Sequence, residues 1–209
     1  MVDIAAAHEQ ATGVRKATAD QIPQLAAVLG RAFTDDPQFR WLLPDDETRT
    51  ELCTGGFDLF LRRLYFHQDE TYTTPGIAGA AVWELPGQWK VSVYKQITMA
   101  PAMLMLWRRN LPRVIGAISR MESNHPQKHH YYLPFIGVDD GWRGRGIGSA
   151  LMAPMLERCD SERMPAYLEA SRPENVPLYE RHGFQVTEQF AIGKGAPPIW
   201  RMWREPAPT

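Results

Sequence analysis

Residues 135–152 read Phe-Ile-Gly-Val-Asp-Asp-Gly-Trp-Arg-Gly-Arg-Gly-Ile-Gly-Ser-Ala-Leu-Met, an apolar strand that enters a glycine-rich basic turn and leaves it as a helix. Such a turn can cradle a pyrophosphate. Gly144, Gly146 and Gly148 have no Cβ, so consecutive backbone N–H groups can close on an anion. The helix that starts near Gly148 adds the partial positive charge of its N-terminus, and Arg143 and Arg145 bring full charges. Further along, Glu169 ends the apolar run 166–169, and Asn175 and Tyr179 stand one turn apart on a helix read over 175–182.

Two glycine fingerprints fail here. A Walker A loop needs Lys followed by Ser or Thr after its last glycine, whereas Gly146 is followed by Ile147 and Gly148. A dinucleotide fingerprint beginning at Gly144 needs Gly or Ala at 149, where the chain has Ser149. Glu169 does sit where a ribose-binding acid would in a Rossmann unit. The five residues 139–143 between strand and glycines, and the roughly forty residues left after Glu169, count against a doubly wound sheet.

The turn Arg143-Gly-Arg-Gly-Ile-Gly148 resembles the Arg/Gln-x-x-Gly-x-Gly/Ala signature of the GNAT superfamily of acyl-CoA-dependent N-acyltransferases. The segment Glu174-Asn-Val-Pro-Leu-Tyr-Glu-Arg-His-Gly-Phe184 resembles that family's Asn-x-x-x-x-Tyr-x-x-x-Gly-Phe block. Within the superfamily, 165–171, 178–184 and 195–200 are most similar to puromycin N-acetyltransferase and its relatives. The resemblance spans about residues 14–205 and is densest after Tyr131. It implies an α/β (α+β) fold with a central mixed, mostly antiparallel sheet splayed between its fourth and fifth strands and flanked by helices. It also implies acetyl-CoA as cosubstrate and a primary amine of a small molecule as acceptor, with a protein or peptide acceptor, or a non-catalytic acyl-CoA sensor, as the alternatives. Main-chain groups of Ile136, Gly137 and Val138 would meet the pantetheine arm, and Arg143, Gly144, Arg145, Gly146, Ile147, Gly148 and Ser149 the pyrophosphate. Asn175 and Tyr179 would also face the cofactor.

Forming an amide from a thioester needs an unprotonated amine, a stabilised oxyanion and a proton for the leaving thiolate. Tyr179 is the expected acid, its phenol donating to the departing sulfur; the plain alternative is that it packs its helix on the sheet. Asn175 can equally be that helix's N-cap, with Pro177 in the first turn. Glu169 is the expected base, and a surface or ion-paired carboxylate is the plain alternative. With an ordinary carboxylate pKa of about 4.3 it would need burial, a water relay or an easier amine such as an α-amino group. His129 and His130 are further candidates as base or substrate contact, ahead of His125, His67 and His182. Tyr65, Trp83, Trp107, Tyr131 and Tyr132 are candidate walls for an aromatic acceptor such as an aminonucleoside.

The rest of the sequence sets bounds. A chain of 209 residues with 44% hydrophobic content suits one domain, read as 14–205 between a flexible lead over 1–13 and a tail over 206–209. Net charge of −1 with scattered basic residues argues against a nucleic-acid partner. No apolar run reaches the roughly twenty residues of a membrane span, and 1–13 lacks a signal-peptide core, so the expectation is a cytoplasmic enzyme, monomer or homodimer. Cys53 and Cys159 have neither disulfide nor metal spacing, and no metal site is expected.

The elements that must position these residues follow from periodicity. A short strand over 14–17 leads to a helix capped at Thr18 or Asp20 and running through Ala32, with Ile22, Leu25, Val28 and Leu29 on one face. Residues 39–43 read as a compact aromatic turn, 48–66 as a helix weakened by Gly55 and Gly56, and 70–85 as a hairpin across Pro75-Gly76. Residues 88–124 read as a helical insertion broken at Pro101 and Pro112 and rich in Met. It is either core or a lid over the acceptor site. Strand, cradle, helix to Glu162, strand 166–169, helix 175–182 and strands 184–191 and 199–204 complete the order.

Overall fold

The computed structural model describes residues 4–207; Met1–Asp3 of the expected lead and Pro208–Thr209 of the expected tail lie outside the described residues. The sheet contains β1 (Arg15–Lys16), β2 (Thr71–Thr73), β3 (Gly79–Glu84), β4 (Tyr131–Val138), β5 (Ala166–Ala170), β6 (Gln185–Ala191) and β7 (Pro198–Arg204). Their spatial order is β1-β2-β3-β4-β5-β7-β6, antiparallel throughout except for the parallel pair β4-β5. This is the expected mixed, mostly antiparallel sheet, with helices on both faces.

Helix α1 (Ile4–Thr12) lies within the stretch read as a flexible lead. It packs on α7 (Ile147–Ser161), and the Gln10 side chain accepts from the Gly76 N–H at 2.9 Å, tying the helix to the β2-β3 turn. Helix α2 (Ile22–Thr34) follows a single 3₁₀ turn in which the Thr18 N–H donates to Gln21 Oε1 at 3.0 Å. Leu25, Val28 and Leu29 on its inner face are fully buried. Residues 37–42 form a helix, α3 (Pro37–Leu42), where a turn was expected. Asp36 caps it by accepting from the Gln38 N–H at 2.9 Å, and Pro37 supplies a φ already suited to the first turn.

Helix α4 (Arg49–Phe60) runs unbroken through its two glycines, because tertiary contact sets that stretch. A Cβ on Gly55 would stand 2.8 Å from Leu106, and one on Gly56 would stand 2.9 Å from Trp107, so the glycines let α5 (Val93–Trp107) approach. At its end α4 widens into a π turn over Leu61–Tyr65. Helices α5 and α6 (Leu111–Asn124) occupy the segment read as a helical insertion; α5 runs through Pro101, and the break falls at Arg108–Asn110, just before Pro112. Helix α8 (Val176–Arg181) follows β5.

One core lies between the sheet and α7 with α8, built on Trp83, Tyr131, Leu151, Met155 and Phe184. A second lies on the opposite face among α2, α4, Val82 and Phe135. A smaller third cluster joins Ala117 and Met121 of α6 to Ile192 and Ile199 around the β6-β7 connection.

The centre of the sheet has an irregularity that matters for the site. Val82 pairs with Phe135 and Glu84 with Tyr132, so Leu133 and Pro134 of β4 stand opposite the single Trp83. The bulge falls at proline, which has no N–H to give the ladder. It also reverses which edge of β4 each residue addresses. Before it, the Tyr131 N–H donates across to Pro165 O at 2.9 Å; after it, the Asp139 N–H donates back to Ala78 O at 2.9 Å. Counting from Asp139, the N–H and C=O of Ile136 and Val138 therefore point away from β3. On that side β4 and β5 pair only over Tyr131–Leu133, and β5 continues along β7. The sheet is splayed between β4 and β5.

Candidate active site

The splay opens into a cavity of about 1150 Å³ that runs from the glycine-rich turn to the α5-α6 insertion. At one end, Gly144 and Gly146 adopt φ of +73° and +81°, the left-handed region that glycine enters without a Cβ penalty. No atom lies within 4 Å of where a Cβ on either would be, so the turn is open. Gly146 caps α7, and the first intrahelical bond is the Ala150 N–H to Gly146 O at 3.0 Å. The N–H groups of Ile147, Gly148 and Ser149 thus have no intrahelical acceptor, which is the arrangement that holds phosphate oxygens. The backbone of Ile136 and Val138 faces the same gap and can hydrogen-bond an extended amide-bearing arm. Gly137 lines the gap between them, its own N–H directed to β3. Together these features fit a pantetheine pyrophosphate.

Arg143 departs from its expected part as a free charge for the pyrophosphate. Its Nε donates to Val138 O at 3.1 Å and its Nη2 to Ala32 O at 3.0 Å, while Nη1 pairs with Asp140 at 2.7 Å. It ties the end of β4 to α2 and fixes the turn. Ser149 Oγ lies 2.9 Å from His182 Nε2, beside the helix entry. Trp142 lines the cavity and packs on the first core.

Midway, Tyr179 lines the cavity with 6% of its surface exposed, and among the described residues its hydroxyl has no hydrogen-bond partner. Burial, and then the nearby Asp36 carboxylate, push its phenol well above the ordinary value, so it stays protonated. Its ring meets Phe184 edge-on, so it also packs α8 on the sheet. Asn175 lines the cavity at the N-cap position of α8 and makes no capping bond. Ser171, at the end of β5, donates to the buried Asp36 carboxylate.

The far end is acidic and aromatic. Glu169 lines the cavity and its Oε1 accepts from the Tyr167 hydroxyl at 2.7 Å. Burial pushes its carboxyl up to about 7, against the hydrogen bonds of Tyr167 and Tyr132, which favour the charged form. Glu84, across from Tyr132 in the sheet, is pushed up to about 8 by burial and by the Glu169 charge. Tyr65, Trp107 and Tyr132 line the cavity. Trp83 and Tyr131 do not. They point to the other face, where Trp83 is wholly enclosed and the Tyr131 hydroxyl donates to Glu162 at 2.5 Å.

Of the histidines, His129 is exposed and His130 is buried behind the wall, while His125 lines the cavity. His130 Nδ1 lies 2.6 Å from Lys128 O, so it carries the proton and its Nε2 accepts from His125 Nε2–H at 3.0 Å. Burial, and then His130, lower His125 to about 3, so the pair is neutral. Trp89 stacks on His125 at 4.0 Å. Cys53 and Cys159 are buried and pushed up to about 12, which leaves no thiolate for an acyl-enzyme.

Sequence reading missed Glu84, Asp36, Ser171 and Trp89. A signal for Glu84 was present: in a strand, a buried aromatic at 83 turns its neighbour to the opposite face.

Residues 61–184 match the model of the acetyltransferase (GNAT) family. An uncharacterized N-acetyltransferase of Schizosaccharomyces pombe is 35% identical over 92% of this chain and 83% of its own length. The L-amino acid N-acetyltransferase AaaT of Escherichia coli is 29% identical over 39% of this chain and 55% of its own. Among solved structures, a Corynebacterium glutamicum protein described as histone acetyltransferase HPA2 and related acetyltransferase superposes with a TM-score of 0.71 at 24% identity, covering 94% of this chain and 97% of its own. Arylalkylamine N-acetyltransferase 2 of Aedes aegypti does so with 0.62 at 10%, covering 92% and 97%. With the splayed sheet and the helix-capping turn, these matches make the chain a member of the GNAT acetyltransferase family, an N-acetyltransferase whose acetyl group comes from acetyl-CoA.

Proposed function

We propose that the enzyme acetylates a primary amine of a small, largely apolar or aromatic molecule, by direct attack of the amine within a ternary complex. The observation that carries this reading is the continuity of the cavity: the glycine turn, the unpartnered Tyr179 hydroxyl and the buried Glu169 open on one space roofed by α5 and α6. In this reading acetyl-CoA supplies the activated acetyl carbon. Ile147, Gly148 and Ser149 hold the pyrophosphate through their N–H groups, and Ile136 and Val138 hold the pantetheine arm. Arg143 acts by fixing the turn, while Asn175 and Arg145 contribute side chains at its rim. Tyr179 donates its phenolic proton to the leaving sulfur. Glu169, raised to about 7, takes a proton from the incoming ammonium far more readily than an ordinary carboxylate would. The 88–124 insertion serves as the lid that excludes water and shapes acceptor choice.

Aminonucleosides of the puromycin type belong to the acceptor class this cavity would take, since Tyr65, Trp107 and Tyr132 offer aromatic walls. Thiol release from acetyl-CoA, measured against puromycin, aromatic amines, amino acids, polyamines and peptides, tests the reading, with Tyr179→Phe beside the wild type. Turnover confined to small amines, reduced about 10²-fold or more in the variant, is the expected result for a lost general acid. Turnover confined to peptides would overturn the small-molecule acceptor.

A further inference from the structure

Glu84, a carboxylate at the same end of the cavity as Glu169, has no part in the acetyl transfer described above. Glu84 closes β3 with 5% of its surface exposed, yet it lines the cavity. Gln68 Nε2 reaches one of its oxygens at 3.4 Å, and Gln68 Oε1 is itself occupied by the Leu85 N–H at 2.8 Å. The other Glu84 oxygen has no hydrogen bond among the described residues. Among the described residues no cation reaches it at hydrogen-bond distance: the Lys95 charge acts on Glu84 only through space, its Nζ lying 3.3 Å from His67, and Arg201 Nη1 pairs with Glu188 at 2.6 Å. A buried carboxylate with an open oxygen, beside a second carboxylate in an apolar cavity, is costly until a cation arrives.

From this geometry we infer that Glu84 is the specificity residue for a second ammonium group, so that the preferred acceptor is a dibasic amine with an apolar or aromatic body. One nitrogen enters toward Glu169 and the thioester, and the other rests against the free Glu84 oxygen. Tyr65 and Tyr132 flank both carboxylates and hold the apolar body between the charges. This rests on the acetyltransferase reading for the identity of the cavity, and it adds what the cavity selects.

Matched probes test it: p-xylylenediamine against p-methylbenzylamine, and putrescine against butylamine. Calorimetric binding to the acetyl-CoA-free enzyme and acetyl-CoA turnover would be measured for wild type, Glu84→Gln and Glu84→Asp, with thermal melts to verify folding. Expected is binding of each diamine at least about tenfold tighter than its monoamine, the size of one buried hydrogen bond between charged groups. That preference should be lost in Glu84→Gln and partly restored in Glu84→Asp, which keeps the charge. Equal binding within each pair, or a preference that persists in Glu84→Gln, overturns the inference. Monoamine turnover without diamine preference would sink Glu84's role alone. Amine binding without turnover of any probe would count against the acetyltransfer reading and leave the Glu84 comparison to decide its own case.

Discussion

At the residue scale the proposed chemistry rests on two groups whose ordinary properties are wrong for the task until the fold changes them. A carboxylate near 4.3 is a weak partner for an ammonium, and Glu169 becomes useful because burial lifts it to about 7 while Tyr167 and Tyr132 hold its charged form in place. Tyr179 is kept protonated by burial and by Asp36. The pH profile should carry the signature of the first. In wild type, kcat/KM should rise through pH 7 as Glu169 loses its proton. In Glu169→Gln it should fall roughly 10²-fold and lose that inflection, leaving only the ionisation of the amine. A variant profile that keeps its inflection near 7 would move the base elsewhere, with Glu84, pushed up to about 8, a candidate in the same cavity. Motif and spacing singled out Glu169 and Tyr179, and both line the cavity. Glu84 was legible only in part, because alternation beside Trp83 turns it to the opposite face but does not say whether that face meets solvent or a cavity.

At the element scale the site is made by irregularities of regular elements. The bulge at Pro134 turns the main-chain groups of Ile136 and Val138 toward the gap, and the short register of β4 with β5 creates the gap itself. The capping glycine leaves the first N–H groups of α7 aimed into it. The insertion is seated by contacts that need the absence of a side chain, since a Cβ on Gly56 would stand 2.9 Å from the Trp107 indole. Gly56→Ala would gain helix propensity and lose that seat. Overpacking against a buried indole outweighs the propensity gain, so a destabilisation of about 1–3 kcal/mol is expected in chemical or thermal unfolding. Stabilisation by this substitution would show that α5 can lift from α4 at little cost. The glycine turn was legible from its residues. That 37–42 would be helical was less so, because the Asp36 cap and Pro37 are local signals that aromatic content overshadowed.

At the scale of the whole molecule, buried titratable groups of two kinds set the stability profile with opposite signs. Glu84 and Glu169 have folded values raised above the unfolded carboxylate, so the native state binds more protons between about 4.3 and 8, and their effect lowers stability as pH rises through that window. His125 is depressed to about 3 and His130 is lowered by the same burial. The unfolded chain therefore binds more protons below about 6.5, and stability is lost as pH falls from there. The melting temperature should peak between these limbs. The difference between Glu84→Gln and wild type should be small near pH 5 and grow in the variant's favour toward pH 8. A difference independent of pH would mean that Glu84 is not the buried ionisable group described.

The sequence alone determined most of the order of elements and the glycine turn at the head of α7, and it offered Tyr179 and Glu169 as candidates, because glycine spacing, helix starts and apolar periodicity are local properties that each segment carries with it. It could not fix which edge of β4 faces the gap, since that parity depends on a bulge defined by a partner strand. Nor could it unite Glu84 with Glu169, 85 residues apart in sequence, or lower His125 and raise two carboxylates, because burial is a property of what packs around a group. The cavity, its charge and its choice of acceptor belong to the tertiary structure, where long-range contacts decide which side chains lose water.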